Sequence, residues 1–135
     1  MKGDDIMSII NSWVFKRTII DINKFLTATG NQFKVISSKP YTDKKGKLED
    51  GFTYTLTILK DDLDYGCDKN GEHRDNNVGQ NFDVTILNRN RRAAKGDIIR
   101  LKDFDEENSF ALDFSFILRF KDYELLKPVA SRTNA

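Results

Sequence analysis

The stretch FALDFSFILRFK, residues 110–121, alternates along its whole length. Phe110, Leu112, Phe114, Phe116, Leu118 and Phe120 fall on one parity, and Ala111, Asp113, Ser115, Ile117, Arg119 and Lys121 on the other. Successive side chains of a strand point to opposite faces, so the pattern predicts a strand with one face in a core and one in water. Strands of this two-faced kind belong to antiparallel sheets, because a parallel sheet is apolar on both faces.

Working outward, the same period of two recurs four times. Phe52, Tyr54, Leu56 and Ile58 alternate with Thr53, Thr55 and Thr57, a strand with a threonine-lined outer face. Phe82, Val84 and Ile86 alternate with Asp83, Thr85 and Leu87. Phe33, Val35 and Ser37 alternate with Lys34, Ile36 and Ser38, and Ile98 to Leu101 makes a short fourth strand. Ahead of these, Asp21 to Thr29 reads as a short helix. Asp21 is its N-cap, Ile22, Phe25 and Leu26 form an apolar stripe, and Gly30 suits a left-handed C-cap. The connections are a turn-rich loop at 42–51, a long polar loop at 60–80, a basic connector at 88–97 and an acidic turn at 103–108.

The chain has 135 residues, enough for one domain that needs no metal or disulfide staple. We therefore expect a mainly all-β domain over residues 21–127, preceded by an arm at 1–20 and followed by a tail at 128–135. In the arm, Ile6, Met7, Ile9, Ile10, Trp13, Val14 and Phe15 crowd together. A terminus so apolar needs cover, either from its own core or from a second copy of the chain. Five alternating strands with short returns predict a closed antiparallel barrel of the five-stranded Greek-key type, the OB-fold. A β-sandwich and an open curved sheet covered by the helix are the alternatives. An OB-fold usually carries a helix between its third and fourth strands, and residues 88–96 are too few for one.

The charges are nearly balanced, 22 basic against 21 acidic, which excludes a polycation binding nucleic acid by bulk charge alone. They are nevertheless segregated. Residues 82–102 carry a local +4 and residues 32–60 a local +3, whereas 61–77 carries −4. No 18-residue apolar run is present to span a membrane, the N-terminus lacks a signal-peptide pattern, and Cys67 is the only cysteine, so a cytoplasmic protein is expected.

Catalytic and cofactor motifs are not found, and we expect neither an enzyme nor a cofactor. His73 is the only histidine; no Cys-x-x-Cys or phosphate-loop spacing occurs. The aspartate-rich run around Gly71 fails as an EF-hand, because its first position would be Gly66 and its twelfth Asn77.

From Phe33 to Leu126, with KGDIIRL (95–101) entering the fourth strand, the chain resembles OB-fold single-stranded DNA-binding proteins. More narrowly, it is similar in size and layout to PrgE-type accessory proteins of Gram-positive conjugative plasmids. The resemblance implies binding of single strands in cooperative arrays and a setting in plasmid transfer or DNA processing. Sequence-tolerant single-strand binding needs cations along the phosphates and rings for the bases. The residues that supply them are Lys44, Lys45 and Lys47 in the first loop, and Arg89, Arg91, Arg92 and Lys95 after the third strand. Tyr41, Phe52 and Tyr54 are the stacking candidates. DNA and RNA are not distinguished by pattern. The expected partners are thus single-stranded DNA, with RNA left open, and a second copy through residues 1–20. A protein-interaction adaptor on the same barrel is the alternative function.

Overall fold

The computed structural model describes residues 10–11, 20–111 and 116–129. Most of the arm and of the tail, and Leu112 and Phe114, lie outside the described residues; of the apolar residues that crowd the arm, Ile10 is described and exposed. Helix α1 (Ile22–Thr29) is followed by β1 (Phe33–Tyr41), β2 (Gly51–Ile58), β3 (Asn81–Ile86) and β4 (Ile98–Phe104). Then come the two-residue strands β5 (Phe110–Ala111) and β6 (Phe116–Ile117), and β7 (Arg119–Lys127). The helix forms as its caps dictate. The Asp21 carboxylate accepts the Lys24 amide at 3.1 Å, and Gly30 ends the helix at φ 66°.

Five strands close into a barrel in the order β1-β2-β3-β7-β4, with β4 returning to β1. This is the OB-like barrel expected, with one correction. The β3–β7 pair is parallel, Thr85 opposite Arg119 and Ile86 opposite Phe120, while the other four pairs are antiparallel. Alternation describes a strand's faces and carries no information about its neighbour's direction, which explains the miss.

A second correction concerns residues 110–121, which are not one strand. Phe110–Ala111 and Phe116–Ile117 pair as a small separate hairpin, and the barrel strand begins only at Arg119. Leu118 and Phe120 are core as expected, but Phe110 and Phe116 are 43% and 54% exposed. Further along β7 the next buried residue is Tyr123, three positions on, and opposite it β4 likewise steps from Leu101 to Phe104. Both strands change parity at this level. On β4 the change is made by Asp103 at φ 59°; on β7 the Tyr123 amide turns to the Asp122 carboxylate at 2.8 Å.

The barrel is filled by Phe33, Val35, Tyr54, Leu56, Ile58, Val84, Ile86, Ile99, Leu101 and Phe120. At one end α1 lays Phe25 against Phe33, ring centroids 5.9 Å apart and nearly parallel, and edge-on to Phe82 at 5.4 Å. Asn31 completes this end by exchanging two 2.9 Å hydrogen bonds with the Leu101 backbone. The other end is closed by the connector 87–97 in place of a helix. Ala93 is buried there, and its amide donates to the Tyr54 hydroxyl at 3.0 Å. The KGD turn then docks on β1: the Gly96 amide donates to Val35 O at 2.7 Å and the Val35 amide to Asp97 O at 2.8 Å. The buried Asp97 carboxylate accepts the amides of Ala94 and Val129.

The long loop after β2 is organised rather than merely polar. Asp61 is buried and accepts from the Tyr65 hydroxyl at 2.7 Å and from the amides of Asn77 and Leu63. Burial works to raise this carboxyl's pKa, and these hydrogen bonds outweigh it, so the net displacement is downward.

Candidate nucleic-acid interface

The β1–β2 loop is built around one carboxylate. Asp43 accepts the amides of Lys45, Lys47 and Leu48 at 3.3, 3.0 and 3.0 Å. Three donors on one side chain hold the loop in a tight hook, and Lys44, Lys45 and Lys47 stand exposed on its outside. Burial acts to raise the Asp43 pKa; the backbone donors, with the Arg119 charge behind them, bring it below the ordinary value.

The hairpin that carries this loop has two sides, and the expected residues divide between them. Residues two apart on a strand share a face, so Lys39 and Tyr41 lie on the outer side while Ser38, Pro40 and Phe52 line the barrel mouth. On the outer side the register joins Lys39, Thr53, Thr85 and Arg119 in one row across β1, β2, β3 and β7. The Arg119 guanidinium reaches the half-buried Tyr41 ring, 5.9 Å from its centroid. Arg89 and Lys121 border a neighbouring cleft of about 630 Å³ between the loop and the connector, with Glu49 and Asp50 on its far wall. Arg89 stays three-quarters exposed, 4.0 Å from Asp50.

The other two arginines of the cluster are engaged in holding the fold. Arg91 lies over the Tyr123 ring at 4.1 Å and donates to the Tyr123 carbonyl, with Asp122 at 4.0 Å. Arg92 lies over Phe52 at 4.8 Å and donates to Ser38 O and Oγ at 3.1 and 3.0 Å. Together they clamp the connector across the barrel mouth, one to each side. Phe52 consequently has a ring face covered by a guanidinium. Lys95 is exposed beside this clamp.

Tyr54 needs correcting as a stacking residue. Its ring is 0% exposed in the barrel core and its hydroxyl is bound to the Ala93 amide, so no base can reach it. Burial pushes its pKa up. Its parity places it with Leu56 and Ile58, a signal already present in the sequence.

The outer face of β2 and β3 carries no ring either. Its residues pair among themselves: Thr53 with Thr85 at 3.0 Å, Thr55 with Asp83 at 2.8 Å and Thr57 with Asn81 at 2.6 Å. The face is a hydroxyl-rich floor, and the cations sit at its margin.

Sequence reasoning missed Lys39, Arg119 and Lys121. The signal for the last two was their outward parity beside Leu118 and Phe120. Lys39, Lys44, Lys45, Lys47, Arg119 and Lys121 form no ion pair with any carboxylate among the described residues. No group of three metal-ligating side chains occurs among the described residues, and no described helix is long and apolar enough to cross a membrane. The exposed Cys67 and His73 face each other across a single bridge, Sγ to Nδ1 3.7 Å.

What fold and site define is an OB-like barrel with a cationic margin. No family model, curated protein or solved structure matches the chain.

Proposed function

We propose that the protein is a non-enzymatic, sequence-tolerant single-stranded DNA-binding protein. One observation carries this reading: six cations without carboxylate partners lie along the outer margin of the barrel around the half-exposed Tyr41. Phosphates would run past Lys39, Lys44, Lys45, Lys47, Arg119 and Lys121, with Arg89 at the end of the path and a base over Tyr41. The setting in plasmid transfer or DNA processing in the cytoplasm, and self-association through residues 1–20, rest on the sequence reading alone.

The experiment is fluorescence anisotropy with labelled oligo-dT, oligo-U and a matched duplex, at about 50 and about 200 mM salt. Binding to single strands that weakens with salt, at a slope of about −0.7 per phosphate contact, supports the proposal. No binding to either single strand at the lower salt ends it, and comparison of dT with U ranks the DNA strand against the RNA strand.

A protein-interaction adaptor is the second reading, favoured by the exposed Phe110 and Phe116 on the β5–β6 hairpin. Phe116 borders an apolar groove of about 770 Å³ lined also by Phe25, Phe82 and Leu63. Under that reading, replacing Phe110 and Phe116 with Ser abolishes partner capture, and replacing Lys44, Lys45 and Lys47 with Ala leaves it intact.

A further inference from the structure

Arg119 is held in an unusual way. Its backbone is locked: the amide donates to the Ser109 hydroxyl oxygen at 2.9 Å, and the carbonyl accepts the Asp105 amide at 2.8 Å. Ser109 is itself anchored on the Asp105 carbonyl at 2.7 Å. The side chain has fewer partners than the backbone. Nη1 donates to the Asn108 carbonyl, and the guanidinium lies toward the Tyr41 ring. Nε is buried and has no hydrogen-bond partner, the one such side-chain nitrogen or oxygen among the described residues.

A buried unmet donor is uncommon in a native protein and calls for an explanation, one of which is a ligand that supplies the acceptor. Asp43, the carboxylate on which the Arg119 charge acts, is committed to three backbone amides and makes no ion pair with Arg119. A guanidinium presents Nε and one Nη as a fork that fits two oxygens of a tetrahedral anion. Lys39 lies in the same cross-strand row, three strand spacings or about 14 Å away, so a strand that leaves Arg119 along this row has a second positive charge ahead of it.

We propose that Arg119 is the principal phosphodiester contact of the interface. In the free protein its guanidinium rests between the Asn108 carbonyl and the Tyr41 ring. On binding it swings out to donate Nε and an Nη to two oxygens of one phosphate, and thereby uncovers Tyr41 for the neighbouring base. The inference rests on the single-strand reading above and adds the residue that organises it.

The test compares wild type with Arg119→Lys and Arg119→Ala in the oligo-dT titration, and follows the Arg119 Nε–Hε resonance by ¹⁵N NMR. That resonance is identified by its loss in Arg119→Lys. The lysine keeps the charge without the fork, so affinity falls about tenfold with an unchanged salt slope; alanine additionally lowers the slope by about 0.7. The thermal midpoint of Arg119→Lys stays at the wild-type value, and the wild-type Nε–Hε resonance shifts on adding oligo-dT. Wild-type binding with an unmoved Nε–Hε resonance, or with equal affinity in Arg119→Lys, overturns this inference and leaves the single-strand reading standing. A wild-type protein that binds no oligo-dT overturns both.

Discussion

At Gly51, where β2 begins, a Cβ would stand 1.9 Å from the Ile86 carbonyl oxygen and 2.8 Å from Leu87 Cα. Both obstacles are backbone, so neither yields to a side-chain rotation. Gly51→Ala is expected to destabilise the barrel by about 3 kcal/mol, read as a lower urea midpoint at unchanged m-value. Asp43 makes a prediction about pH. Its carboxyl titrates lower in the folded protein than in the unfolded chain, so its contribution is complete above the unfolded value of about 3.9 and is lost as pH falls through the folded one. Amide protection factors at Lys45, Lys47 and Leu48, each taken against the intrinsic exchange rate at the same pH, should therefore fall on acidification below about pH 4, while those of β2 amides hold. Equal protection at both pH values would remove Asp43 as the organiser of the loop.

Among the elements, the connector and the β5–β6 hairpin give opposite expectations to those drawn from sequence. Arg91 and Arg92 each combine a backbone hydrogen bond with an aromatic face. Replacing both with Ala should lower unfolding stability by about 2 kcal/mol, the sum of the lost stacks and hydrogen bonds. Single-strand affinity should fall less than in Arg119→Ala. A double variant as stable as wild type would return these arginines to the ligand. In the hairpin, Phe110→Ala and Phe116→Ala should each change stability by no more than about 0.5 kcal/mol, against about 3–5 kcal/mol for a core phenylalanine. The alternation of 110–121 was legible, and it set Leu118 and Phe120 correctly. It could not show that 110–117 folds outside the barrel sheet, which the chain leaves at Phe104 and re-enters at Arg119. Alternation continues within each short strand, although the register, Phe110 opposite Ile117 and Ala111 opposite Phe116, puts the two phenylalanines on opposite faces of the hairpin.

Across the whole molecule, the near-neutral total conceals a polar distribution. The basic loop leads into β2 and the acidic 61–77 loop follows it, so β2 with its eight residues separates them by about 26 Å. That exceeds the Debye length of about 8 Å at physiological salt, so the acidic loop does little to cancel the attraction at the other end. Replacing the exposed Asp62, Asp64 and Asp75 with Asn should change oligo-dT affinity by less than about twofold at about 150 mM salt. A large gain would mean that the two ends communicate.

The sequence by itself determined the strand periods, the helix with both its caps, and the KGD turn into β4. Each of these depends on residues within a few positions of one another. Only the tertiary structure decided the parallel closure of β3 on β7, the parity change at Leu101–Phe104 and the burial of Tyr54 under Ala93. It also decided which arginines are occupied: Arg92 meets Ser38 54 positions away, and Arg91 meets Tyr123 32 positions away. Arg119 reaches the Tyr41 ring across β2 and β3. Local alternation sets which way a side chain points. What it then touches depends on the barrel's closure, which brings distant parts of the chain into contact.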